Sequence, residues 1–96
     1  MELATFEGFD WDLGNIAKVQ SRLDLSMVEF AFHGSPYVAF DETHSLSEKR
    51  WLLVNKIHDR FVFVSFTTRD KKIRVISARY MGKKEAKNYE DWFNEV

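Results

Sequence analysis

The stretch RWLLVNKIHDRFVFVSFTTRDKKIRVISARY, residues 50–80, decides the fold. Within it Arg50–Ile57, Phe61–Thr68 and Lys72–Tyr80 are rich in β-branched and aromatic residues, the types that fit a pleated, half-buried surface. The links His58-Asp59-Arg60 and Arg69-Asp70-Lys71 are polar and too short for a crossover helix, which predicts antiparallel hairpins. Phe61-Val62-Phe63-Val64 is apolar on both faces and suits a strand in the middle of a sheet.

Upstream of this block, Asp41–Glu48 reads as a polar loop, Tyr37–Phe40 as a brief strand, and His33-Gly34-Ser35-Pro36, with the only proline, as a turn. Ser26 followed by Glu29 matches a capping box, predicting a short helix through Met27, Phe30 and Ala31. Asp12 is placed to cap an earlier helix running to about Leu23, with Trp11, Ile16, Val19 and Leu23 at near-helical spacing. Leu3–Phe9 is expected to be a short strand. Downstream, Gly82 caps a final helix with an apolar stripe of Ala86, Tyr89, Phe93 and Val96. The order β-α-α-β-β-β-α predicts an α+β domain: an antiparallel sheet of three to four strands, with two N-terminal helices and one C-terminal helix packed on one side.

The chain has 96 residues, enough for one core and too few for two, so residues 1–96 are taken as a single domain. Hydrophobic residues make up 45%, with nine Phe, three Trp and three Tyr. The absence of cysteine excludes disulfides, thiolate metal sites and cysteine nucleophiles. Neither a signal peptide nor a membrane-spanning run is present in the sequence, and a cytoplasmic location is expected. No G-x-G-x-x-G, P-loop or G-x-S-x-G pattern occurs, so no cofactor is expected.

The net charge of −1 conceals two halves of opposite sign. Residues 1–48 hold two cations against nine carboxylates, and residues 49–96 hold twelve against six. Most of the positive excess lies in residues 69–87, an asymmetry that suggests an anionic partner. On a regular strand Ile73 and Val75 point one way while Arg74, Ile76 and Ala78 point the other, so Arg74 faces away from the helices. Arg69 at the hairpin tip and Arg79 at the far end are expected to border the same open face. Guanidiniums so grouped suit phosphate, because each is a fixed fork of donors that stays charged. The competing reading pairs each arginine with a carboxylate of the first half. His33, His44 and His58 fall in loops, with no metal-ligand spacing on a helix, and receive no role.

Several local motifs, taken in order, resemble the BrnT family, toxins of bacterial type II toxin–antitoxin pairs with a RelE-like fold. These are Phe9-Asp10-Trp11-Asp12 with Gly14-Asn15 and Ala17-Lys18, then Glu48-Lys49-Arg50-Trp51, Asp59-Arg60 and Phe66-Thr67-Thr68-Arg69. The best match is Ile73-Arg74-Val75-Ile76-Ser77-Ala78-Arg79, followed by Lys83-Lys84-Glu85 and Tyr89-Glu90. The resemblance implies a ribonuclease that needs no metal, cleaves RNA and so inhibits translation. It also implies silencing by a cognate ribbon-helix-helix antitoxin and a toxin dimer within a larger complex. Carried over by residue, it makes Arg69, Arg74, Arg79 and Lys18 catalytic. Arg22, Arg50, Lys83, Lys84, Glu85 and Tyr89 become contacts to RNA. The chemistry implied is attack of an RNA 2′-hydroxyl on the adjacent phosphate, with arginines stabilising the developing charge.

One departure concerns the link between the first two helices. The family commonly carries Lys-His-Gly there, where this chain has Arg22-Leu23-Asp24. The acidic first half also lowers the net charge. These departures define the alternative reading, a catalytically weak or inactive family member acting as an antitoxin- or nucleic-acid-binding module.

Overall fold

The computed structural model describes residues 1–94. Four strands, β1 Tyr37–Phe40, β2 Trp51–Ile57, β3 Arg60–Arg69 and β4 Lys72–Tyr80, form one antiparallel sheet in the order β1-β2-β3-β4. The meander and the three main strands agree with the expectation to within a residue or two. The β3–β4 hairpin closes through Asp70 and Lys71, both left-handed at φ 51° and 64°. Two such residues between the Arg69↔Lys72 pair form the turn whose twist matches the strands it joins.

Two short helices, α1 Ile16–Gln20 and α2 Leu25–Phe30, cover one face, called here the inner face. Its core consists of Val19, Leu23, Val28 and Phe32 against Leu53, Val62, Val64, Phe66, Ile73, Val75 and Ala78, all under 9% exposed. Each such side chain contributes about 1.5–3 kcal/mol on burial. Phe32 meets Phe66 edge-on at 5.0 Å, and Phe9 meets Phe32 at 5.2 Å.

Several local expectations are corrected. Residues Leu3–Thr5 form a 3-10 turn where a strand was expected, and only Phe9 bridges to Ile73, in parallel. The first helix is one and a half turns long, because Asp12 and Asn15 first form a compact loop. Ser26 and Glu29 make no capping box. Asp24 occupies the N-cap of α2, and the Glu29 carboxylate instead accepts the indole N–H of Trp11 at 2.8 Å.

The C-terminal segment runs through α3 Lys83–Ala86, a 3-10 turn Lys87–Tyr89 and α4 Glu90–Asn94. It packs on the opposite, outer face, so the helices lie on both sides of the sheet. Ala86, Tyr89 and Phe93 meet Val54, Phe61, Phe63 and Tyr37 there. This is why Phe61–Val64 is apolar throughout: Val62 and Val64 face α1 and α2, while Phe61 and Phe63 face the C-terminal segment. Val96, the last member of the expected stripe, lies outside the described residues.

The most consequential correction is a β-bulge in β4. Ser65 is opposite Ser77, but Phe66 is opposite Val75, leaving Ile76 as the additional residue. A bulge residue shifts the alternation by one. Ala78 therefore joins Val75 in the inner core, at 2% exposure, and does not share the face of Arg74. Arg74 and Arg79, an odd number of residues apart, fall on the same outer face, opposite Thr67 and Phe63.

Candidate functional site

The outer face is covered at one end by the C-terminal segment; at the other, the loop after β1 closes over Asp41 and Thr67, and the β3–β4 side, with Arg69 and Lys72, is open. Successive outer-facing rows cross all four strands. Tyr37, Val54, Phe63 and Arg79 form the covered row, and Ala39, Leu52, Ser65 and Ser77 the next. Beyond them the Asp41 N–H donates to the Arg50 carbonyl, extending the β1–β2 ladder by one residue. The third row thus comprises Asp41, Arg50, Thr67 and Arg74. Arg69 and Lys72 close the open end. The middle row holds small or aliphatic, half-buried side chains, so the floor between Arg79 and Arg74 is low and uncharged.

The N-terminal loop is fastened beside β4 by Asn15. Its amide donates to the carbonyls of Asp10 and Val75 at 3.1 and 3.0 Å, and its oxygen accepts the Asp12 N–H at 2.9 Å. At 4% exposure the side chain finds its partners within the protein. The loop so fixed presents Asp12 to Arg74 as a two-pronged pair, at 2.9 and 3.0 Å, with Asp10 at 3.6 Å. Gly14 leaves room for this approach, and a side chain there would make the Asp12–Arg74 pair give by a few tenths of an ångström. A Cβ at that position would lie 3.0 Å from Asp12 Oδ1 and 3.2 Å from the Arg74 guanidinium.

Arg79 makes a second two-pronged pair, with Glu85 of α3 at 2.8 and 2.9 Å, and lies over the Phe63 ring at 4.8 Å. The Gly82 N–H also leans toward Glu85, at 3.4 Å. The helix start beside Arg79 is therefore already faced by a carboxylate. Hydrogen bonding to the arginines holds the carboxyls of Asp12 and Glu85 below their ordinary range, with the Gly14 N–H assisting at Asp12. Hydrogen bonding to those carboxylates raises Arg74 and Arg79 further. The intramolecular pairing weighed from sequence is realised at both, although the partner of Arg79 comes from the second half.

Other arginines are freer. Arg69 is exposed and makes no ion pair among the described residues, yet its charge is felt at Asp12. Arg50 has only a 3.8 Å contact to Glu48, and its Nε is buried with no partner among the described residues. Lys18 and Arg22 are exposed and form no ion pair among the described residues. Lys83 and Lys84 are exposed on α3. Tyr89 packs edge-on against Tyr37 at 5.2 Å, and burial raises its hydroxyl pKa. At the departure Arg22-Leu23-Asp24, Leu23 is a core residue and Asp24 starts α2.

One pair was missed from the sequence. Asp41, 8% exposed, accepts from the His44 ring at 2.8 Å and faces the His44 N–H at 3.3 Å. The available signal was the i, i+3 spacing of Asp41 and His44 in a loop otherwise too polar to bury a carboxylate.

These features define a small α+β domain with a cationic sheet face. Residues 11–85 match the family model described as ribonuclease toxin, BrnT, of type II toxin–antitoxin system. The match spans most of the chain, and the protein belongs to this family. Membership carries an RNA substrate and a cognate antitoxin with it. Comparison with curated proteins and with solved structures gave no match. No helix among the described residues is long and apolar enough to cross a membrane.

Proposed function

We propose that the protein is an endoribonuclease toxin that works without a metal ion and inhibits translation, and that RNA lies across the open end of the outer sheet face. The observation that carries this reading is the clustering of Arg50, Arg69 and Arg74 at that end, next to a low, uncharged floor. Arg69 has its fork available to phosphate, and Arg50, with Nε buried and Glu48 at 3.8 Å, offers the outer part of a one-third exposed side chain. Arg74 is a fixed charge at the β4 end of the same row, anchored by Asp12. Arg79, on β4 opposite Phe63 and two outer-facing rows from Arg74, suits a neighbouring phosphate once Glu85 swings aside. Guanidiniums supply the positive charge that stabilises a phosphorane when a 2′-hydroxyl attacks the adjacent phosphorus.

Arg69→Ala tests the reading. RNA cleavage by the full chain is expected to slow on the order of 100-fold, the scale for losing one preorganised donor. The melting temperature should move little, because a surface substitution typically changes stability by about 0.5 kcal/mol or less. Cleavage of free RNA is expected to persist in EDTA. An Arg69→Ala protein as fast as wild type, or activity lost to EDTA and restored by magnesium, contradicts it. Partner expectations follow the same reading: a ribbon-helix-helix antitoxin and a toxin dimer within the complex, both tested by the composition of the purified assembly.

A further inference from the structure

We propose that His44, held by the buried carboxylate of Asp41, is the general base for RNA cleavage at the open end of the outer face. This inference rests on the ribonuclease reading above and names a residue which that reading leaves unused.

The geometry begins with Asp41. Its Oδ2 lies 2.8 Å from His44 Nδ1, while its Oδ1 lies 3.3 Å from the His44 backbone N–H. An ionised carboxylate only accepts, so Nδ1 carries the hydrogen and Nε2 presents a lone pair. The His44 side chain is 65% exposed and its partner 9%, which leaves the ring edge bearing Nε2 open to solvent over a fixed base. A buried carboxylate in this position sets the tautomer and stabilises the imidazolium formed when Nε2 takes a proton.

The loop that holds the pair is tied to the arginine row. The Ser45 hydroxyl donates to the Asp41 carbonyl and accepts the Arg50 N–H at 3.0 Å, and the Thr67 hydroxyl donates to the Lys49 carbonyl at 2.7 Å. Thr67 is in turn registered opposite Arg74. With adjacent strands about 4.8 Å apart, Asp41 and Arg74 mark the two ends of a row about 14 Å long, with Arg50 next to the histidine loop. A phosphate near Arg50 lies beside the loop that carries His44, with the charges of Arg69 and Arg74 further along the sheet.

The reaction balances as follows. Nε2 takes the 2′-hydroxyl proton, the 2′-oxygen bonds to phosphorus, and the P–O5′ bond breaks with its electron pair leaving on O5′. O5′ takes a proton from water, and the hydroxide so formed is neutralised by the imidazolium proton, which restores His44. The products are a 2′,3′-cyclic phosphate end and a 5′-hydroxyl end.

The test uses the full chain, purified free of antitoxin, on a 5′-labelled transcript in a ribosome-containing translation extract. His44→Ala and His44→Gln are each expected to slow cleavage on the order of 100-fold or more, with little change in melting temperature. Added imidazole should restore part of the rate to His44→Ala. The Gln variant keeps a donor toward Asp41 but has no basic nitrogen, so a normal rate in it assigns His44 a structural role and overturns the proposal. Normal cleavage by His44→Ala, alongside slow cleavage by Arg69→Ala, overturns it and leaves the ribonuclease reading standing. A wild-type chain that cleaves nothing removes both.

Discussion

Arg74 is held on both prongs by Asp12, a carboxylate in the geometry a phosphate would otherwise take. Removing the competitor frees a fork. Asp12→Asn is therefore expected to raise RNA affinity at low salt and to steepen its salt dependence by about 0.7 in log–log slope, one further phosphate contact on a single strand. Acid provides a separate check. The Asp12 carboxyl is depressed in the folded state, so its pairing stabilises the protein above the unfolded pKa and is lost as pH falls through the folded one. The stability gap between wild type and Asp12→Asn should then close on acidification, and melting curves from neutral pH downward measure it. A gap that widens toward acid contradicts the assignment.

At the scale of elements, the β4 bulge controls which residues face RNA and which face the core. On an unbroken strand Ala78 would share the face of Arg74, where a lysine is tolerated. With Ile76 as the additional residue, Ala78 is buried against the inner core. Ala78→Lys is therefore expected to cost about 3 kcal/mol or more, since it buries an unpaired charge. In a chain of this size that lowers the melting temperature by more than about 10 °C. Ser77→Lys, on the half-exposed floor of the outer face, should cost far less. Equal melting temperatures for the two variants would rule out the bulge.

For the whole molecule, the net charge of −1 predicts weak attraction to a polyanion, but charge is not spread evenly. The loop bearing Asp10 and Asp12 is held against Arg74, while Arg69 at the tip of the neighbouring hairpin remains unpaired among the described residues. RNA affinity is expected to fall with salt at a log–log slope of about −2, the value for some three phosphates contacted on a single strand by Arg50, Arg69 and Arg79. Filter binding or anisotropy across a salt series measures it. A flat response would mean that these arginines do not meet phosphate.

The sequence by itself determined the antiparallel meander of β2, β3 and β4 within a sheet of three to four strands, because strand propensity and short polar links are local properties of residues 50–80. It also determined the basic character of the second half and, through ordered motifs, the family. It did not determine how far the first helix extends, because the Asn15 hydrogen bonds to Asp10 and Val75 join parts of the chain that only folding brings together. The common face of Arg74 and Arg79 was hidden for a related reason. Period-two alternation fails at a bulge, and a bulge is a property of the ladder between two strands, not of one strand's residues. His44 looked like a solvated loop residue for as long as Asp41 looked like one. Only the tertiary structure buries that carboxylate and turns the imidazole toward it, since burial depends on the Ser45, Arg50 and Thr67 hydrogen bonds that close the loop over the sheet.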